Sequence, residues 1–266
     1  LHSTSRRQRQ MCIRDRMGAV TVITSGKGGV GKSTIVTGLG SALARRGKRV
    51  LLIDGDAGLS CLDLMLDVAE ERVYDISDVI SGGAELSQAI YSCPWQEGMY
   101  LLAAPSRDKD TVSPGVMKQL VGALSRYYDH VLIDCPAGIG AGFESAVAAA
   151  QQALLVSTPD PVCLRNGAKT RLALERLGHT KHRLVVNRFS GAAFRSQRVY
   201  HSLDDVIDEV GVRLIAVIPE DPALAAATAS SSAPPERSQG ALALGRLAAR
   251  LEGEQVPLPL ASLRRF

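Results

Sequence analysis

Short, unbroken apolar blocks recur along this chain, and between them apolar positions fall at helical spacing. The blocks lie at residues 20–23, 50–53, 99–103, 130–133, 153–157, 184–186 and 214–218. Runs of this length without polar alternation predict strands covered on both faces, as in a parallel sheet sandwiched by helices.

The segments between them read differently. In 33–46 the apolar positions Ile35, Leu39, Ala42 and Leu43 share one face, and Gly47 supplies a stop. In 116–128 the positions Met117, Leu120, Val121 and Leu124 do the same. Residues 59–66 and 73–81 predict two short helices broken at Gly82-Gly83, and 162–177, 203–210 and 241–251 predict three more. The polar, Pro- and Ser-rich stretch 228–240 predicts a loop. Strand-type and helix-type segments alternating along the chain predict an α/β protein. It is a doubly wound, mostly parallel β-sheet flanked by helices, one domain over 17–252 with a tail over 253–266.

The first strand runs into a glycine cluster, Gly26-Lys27-Gly28-Gly29-Val30-Gly31-Lys32-Ser33-Thr34. The spacing from Gly26 to Gly31-Lys32-Ser33 is that of a phosphate-binding loop. Glycines let successive main-chain N–H groups turn towards an anion, and the helix that follows adds partial positive charge. Lys32 is placed to neutralise β- and γ-phosphates, and Ser33 to offer its hydroxyl to Mg²⁺. Two more strands end in acid at the same edge of such a sheet. One closes in Asp54-Gly55-Asp56, the other in Asp134-Cys135-Pro136-Ala137-Gly138. There Asp134 would serve the cation, and Gly138 would bring its N–H to the γ-phosphate.

Composition changes this picture little. The formal net charge of +4 sits wholly in residues 1–16, where Arg6, Arg7, Arg9, Arg14 and Arg16 face only Asp15. Residues 17–266 are therefore formally neutral, and no nucleic-acid partner is expected. The leader is read as non-native or disordered, with Met17 as a natural start. The cysteines, Cys12, Cys61, Cys93, Cys135 and Cys163, include no C-x-x-C pair. That pattern suits reduced thiols in the cytoplasm and argues against an iron–sulfur site. No apolar run reaches the length of a membrane span.

The extra lysine early in the loop, Lys27, makes the motif similar to that of the deviant Walker A ATPases, the MinD/ParA family of P-loop proteins. The runs LIDGDAGLSCLDLML, YDISDVISGGAELSQAI, VLIDCPAGI and SLDDVIDEVGVRLIAVIPED resemble the septum-site-determining MinD branch. This resemblance spans roughly 19–226. It implies a slow, partner-activated ATPase that dimerises around ATP and cycles on and off the membrane to position the division site. Lys27 would then reach the partner's nucleotide, and Asp56 would orient the attacking water. Asp54 and Asp134 would shape the Mg²⁺ shell together with Ser33. Asn187 would hydrogen-bond adenine, and Pro219, Glu220 and Asp221 would border the base.

The implied partners are a second copy of the chain, division-inhibitor and activator proteins of the MinC/MinE type, and an anionic membrane surface. Three departures stand out: Cys61 where the family has Asn, Leu164-Arg165-Asn166-Gly167-Ala168 in place of an acidic helix start, and a short basic tail with Leu260, Leu263 and Phe266 against Arg264-Arg265. Alternatives are a flagellar-number regulator of the FlhG type, a ParA-like positioning ATPase, and a non-hydrolysing nucleotide-gated scaffold.

Overall fold

The structure is a computed structural model and describes residues 17–56, 61–105 and 112–259. The leader and the end of the tail fall outside those residues.

From the amino end, β1 (Ala19–Thr24) leads into α1 (Lys32–Ala44) and β2 (Val50–Asp54). Short helices α2 (Leu62–Met65) and α3 (Ile76–Ile80) precede β3 (Ile90–Ser92) and β4 (Met99–Leu102). Next come α4 (Pro114–Leu124), β5 (His130–Asp134), α5 (Ala141–Ala149) and β6 (Gln152–Ser157). After α6 (Pro161–Arg176) and β7 (His182–Phe189) lie α7 (Gly191–Gln197), α8 (Leu203–Val210), β8 (Leu214–Pro219), α9 (Pro222–Ala229) and α10 (Gln239–Leu251).

The eight strands form one sheet in the order β3-β4-β2-β5-β1-β6-β7-β8. Every pairing is parallel except the antiparallel β3–β4 edge. Successive side chains point to opposite faces, as strand geometry requires. Ile23, Leu52, Leu132 and Leu154 join Ile35 and Leu39 of α1 and Leu244 and Leu247 of α10 in one core. Val22, Ile53, Val131 and Ile133 pack on the other face with Met117 and Val121 of α4 and Phe143 of α5. Beyond β6, Leu184, Val186 and Val217 meet Leu164 of α6 and Val206 and Val210 of α8. Both faces are dry, which is why the strands read as unbroken apolar runs.

Several boundaries differ from the sequence reading for local reasons. The helix expected over 73–81 begins only at Ile76, because Asp75 and Asp78 form a reciprocal capping box at its start. Tyr91 holds the N–H groups of Val73 and Tyr74 outside it. α4 starts at Pro114 under the Ser113 cap and stops at Leu124. The loop expected over 228–240 is shorter, since α9 runs to Ala229 and α10 starts at Gln239. Helices α5, α7 and α9 were not legible, being short and mostly built of Ala, Gly and Ser without a clear apolar period. Of the helix expected over 59–66, residues 59 and 60 lie outside the described residues.

Candidate functional site

The site grows from the carboxyl edge of β1. Ser25 is buried and its hydroxyl donates to the carbonyl of Lys27 at 2.8 Å, which curls the loop. A Cβ on Gly26 would stand 2.4 Å from the backbone carbonyl of Asn166 in α6, so only glycine passes there. Lys27, Gly28 and Gly29 are exposed. Gly31 has φ 92°, and a Cβ on it would lie 2.4 Å from Asn187 Nδ2. It hands over directly to α1, a thirteen-residue helix with no side-chain cap and no acid in its first turn. The amino end of that helix is left with open N–H groups, Lys32 and Ser33, which is the chemistry of an anion site.

Two carboxylates stand beside it. Asp54 and Asp134 are register partners at the ends of the adjacent strands β2 and β5, and the N–H of Gly55 ties the two ends together through the Asp134 carbonyl. Burial pushes Asp134 up to about 7, against a hydrogen bond with Ser33 and the charge of Lys32, with Asp54 adding repulsion. Burial likewise pushes Asp54 up to about 6, although N–H groups of Asp56, Leu62 and Cys61 pull it down. Those amides reach Asp54 at 3.0, 3.2 and 3.2 Å. Asp134 Oδ1 is buried without a hydrogen-bond partner. Two raised, dry carboxyls with an orphaned oxygen, beside a serine hydroxyl, are the oxygen donors a hard divalent cation seeks. Among the described residues no three His, Cys, Asp or Glu side chains gather as a metal centre. A cation there would therefore be completed by phosphate oxygens, the usual situation for Mg²⁺.

Beside Thr34, in the first turn of α1, lies a cavity of about 380 Å³. Thr34, Asn187, Arg188, Pro219, Glu220 and Asp221 line it, together with Pro222, Leu224, Ala225 and Thr228 of α9. Asn187 Nδ2 donates to the Val30 carbonyl at 2.8 Å, so β7 braces the phosphate loop from behind. Arg188 adopts φ 51° where the pairing of β7 with β8 shifts register, a backbone conformation rare outside glycine. Asp221 caps α9 through Ala223 and Leu224 and also accepts the N–H of Gly240 at the start of α10.

The residues that the sequence assigned to phosphate, cation and base thus lie on or next to one edge of the sheet, whereas Leu260, Leu263, Arg264, Arg265 and Phe266 lie outside the described residues. Asp56 touches Asp54 through its N–H, and Gly138, with φ 93°, follows β5 in open space. Lys27 sits outward, close enough to the cap of α6 for its charge to act on Asp160. Sequence reasoning missed Arg188 and the α9 wall of the cavity. The Asp221-Pro222 pair, an N-cap followed by proline at the first helical position, was the signal for that wall. It also missed that the Cys61 thiol lies 3.3 Å from Ser33 Oγ, raised by burial to about 11. Nothing in the linear sequence joins those two positions.

A glycine-lined loop, an open helix start and paired acids on a doubly wound sheet define a P-loop nucleotide-binding protein. Residues 21–234 match the family model of the CobQ/CobB/MinD/ParA nucleotide binding domain. The septum site-determining protein MinD of a Synechocystis species is 38% identical over 91% of this chain and 92% of its own length. The Aquifex aeolicus MinC:MinD cell division complex contains a chain that superposes with TM-score 0.83 at 34% identity, over 91% of this chain and 98% of that one. Pyrococcus horikoshii MinD, solved with Mg-ADP, gives 0.78 at 32% identity over 93% and 99%. The chain belongs to this nucleotide-binding family, and within it to the septum-site-determining MinD ATPases. Neither the flagellar nor the partitioning alternative is favoured by these relatives. Among the described residues no helix is long and apolar enough to cross a membrane.

Proposed function

We propose that this ATPase binds ATP with Mg²⁺, and that the ATP-loaded chain pairs with a second copy to form the hydrolytic state. The observation that carries the reading is the convergence of the Gly26–Ser33 loop, the Asp54–Asp134 pair and the exposed Lys27 at one sheet edge.

In this reading each residue has a task that its placement supports. N–H groups from Gly26 to Thr34 cradle the phosphates, with Lys32 offsetting their charge. Ser33 Oγ and Asp134, with its unpartnered oxygen, hold the cation, while Asp54 orders the shell from behind through the amides of residues 56, 61 and 62. Bound Mg²⁺ supplies charge stabilisation to the transferring phosphoryl group. Asp56 orients the attacking water, and the Gly138 N–H meets the γ-phosphate. The base enters the 380 Å³ cavity, where the Asn187 side-chain oxygen and its second Nδ2 N–H are left to read it, bordered by Pro219, Glu220 and Asp221. Lys27, facing out of its own loop, completes the partner's site, so pairing itself assembles the catalytic charge.

The division-site role extends by kinship to a MinC-type inhibitor, since a relative is known in a MinC:MinD complex. A MinE-type activator and an anionic membrane surface, reached through the tail, complete the cycle. The test compares Lys27→Ala with Lys32→Ala. The first should keep Mg-ATP binding within a few fold yet lose ATP-dependent dimers in light scattering; the second should lose the nucleotide. Dimers that persist in Lys27→Ala would overturn the role across the interface.

A further inference from the structure

A charged cluster centred on Arg72 lies one residue beyond the amides that hold Asp54. The guanidinium donates from Nη1 to Asp63 Oδ2 at 2.7 Å and from Nη2 to the Ala104 carbonyl at 2.7 Å. Nη2 also stands 3.6 Å from Asp75 Oδ2, on the residue that caps α3. The three charged side chains are largely buried, at 13%, 12% and 9% exposed. One planar fork thus joins the start of α2, the start of α3 and the chain leaving β4, the strand paired with β2. The route to the site is short. Asp63 directly follows Cys61 and Leu62, whose N–H groups both donate to Asp54 Oδ2 at 3.2 Å. Asp63 Oδ1 accepts the N–H of Leu64, so this carboxylate grips its own helix with one oxygen and Arg72 with the other.

We propose that Arg72 is a positioning residue for ATP hydrolysis: by pinning Asp63 it fixes the Cys61 and Leu62 amides that orient Asp54 behind the cation. A carboxylate that orders a cation's shell works only while its own donors stay in place. Helix α2, four residues long, is too short to hold its own start. A charge-assisted bond to a mostly buried carboxylate supplies the stiffness that the helix lacks. Without the guanidinium, Asp63 and Asp75 lose a buried counter-charge, the start of α2 shifts, and Asp54 loses two fixed donors. Phosphate binding by Lys32 and the loop amides does not pass through this cluster. Nucleotide affinity and the cation's contribution to turnover therefore separate. This inference rests on the Mg-nucleotide reading above.

The test measures ATP turnover against Mg²⁺ concentration, and ATP affinity in EDTA, for the full chain and its variants. Arg72→Ala, shown folded by circular dichroism, should bind ATP in EDTA with wild-type affinity. Its kcat should fall, or its Mg²⁺ midpoint rise, by about 10–100-fold. Asp63→Asn should do the same, and the double variant should be no worse than either single one, because both cut one link. Arg72→Lys keeps the charge without the fork and should recover part of the loss. Wild-type kcat and Mg²⁺ midpoint in folded Arg72→Ala would overturn the proposal. So would metal-free affinity that falls as far as turnover, or a double variant in which the two losses sum. Should Arg72→Ala fail to fold, Arg72→Lys and Asp63→Asn carry the same comparison. Wild-type protein whose turnover ignores Mg²⁺ would instead bring down the nucleotide reading on which the proposal stands.

Discussion

Gly31 answers two demands at once, a left-handed backbone and the close approach of Asn187. Gly31→Ala meets both with a methyl group. The substitution should cost more than about 1 kcal/mol in denaturant unfolding and weaken ATP binding at least several-fold, because the brace between β7 and the loop must shift. At this scale the sequence was informative wherever chemistry sits at the end of an element. Lys32, Ser33, Asp54 and Asp134 all terminate or begin a regular segment, so position along the chain predicted position in space. The pairs that cross between elements were invisible. Asn187 on Val30 and Cys61 on Ser33 depend on how strands and loops stack, and no spacing encodes that.

Among the elements, α9 matters most for the cavity and was the hardest to foresee. All eight of its residues are Pro, Ala, Leu or Thr with no polar face to set a phase, so helical period gave no signal. What holds it is Asp221, whose carboxylate caps α9 and at the same time takes the N–H of Gly240 on α10. Asp221→Ala removes three hydrogen bonds from one side chain. It should lower stability by about 1–2 kcal/mol and raise the ATP dissociation constant through a loosened cavity wall, read by thermal melts and fluorescent-nucleotide titration. By contrast α1 and α4, the longer helices of the amino-terminal half, were legible, although the start of α4 was set by the Ser113 cap rather than by apolar phase.

Across the whole molecule, the nucleotide edge has a counterpart at the amino edge of the sheet. There Glu252, just past α10, meets Lys48 and His130, and Arg46 meets Glu254. Burial alone would raise the Glu252 carboxyl, but hydrogen bonds from Lys48 and His130 outweigh it and hold the group below its ordinary 4.5. A carboxyl depressed in the folded state stabilises above its unfolded value and loses that contribution as pH falls through the folded one. The melting temperature of wild type should therefore exceed that of Glu252→Gln at about pH 6, with the gap closing as pH drops below 4.5. The doubly wound architecture was legible because both faces are dry and every strand is nearly pure apolar. The antiparallel β3 edge was not, since three residues, two half-exposed and one exposed, carry no pattern.

The fork of Arg250 ends the same helix. Its Nη1 holds the carbonyl of Ile215 on β8, while Nε and Nη2 hold those of Val256 and Pro257. The chain beyond α10 is thus moored to a sheet strand, and tension on the tail has a mechanical route into the body. Ile215 and Pro219 share β8, so a load on Val256 and Pro257 arrives at the strand whose far end lines the cavity.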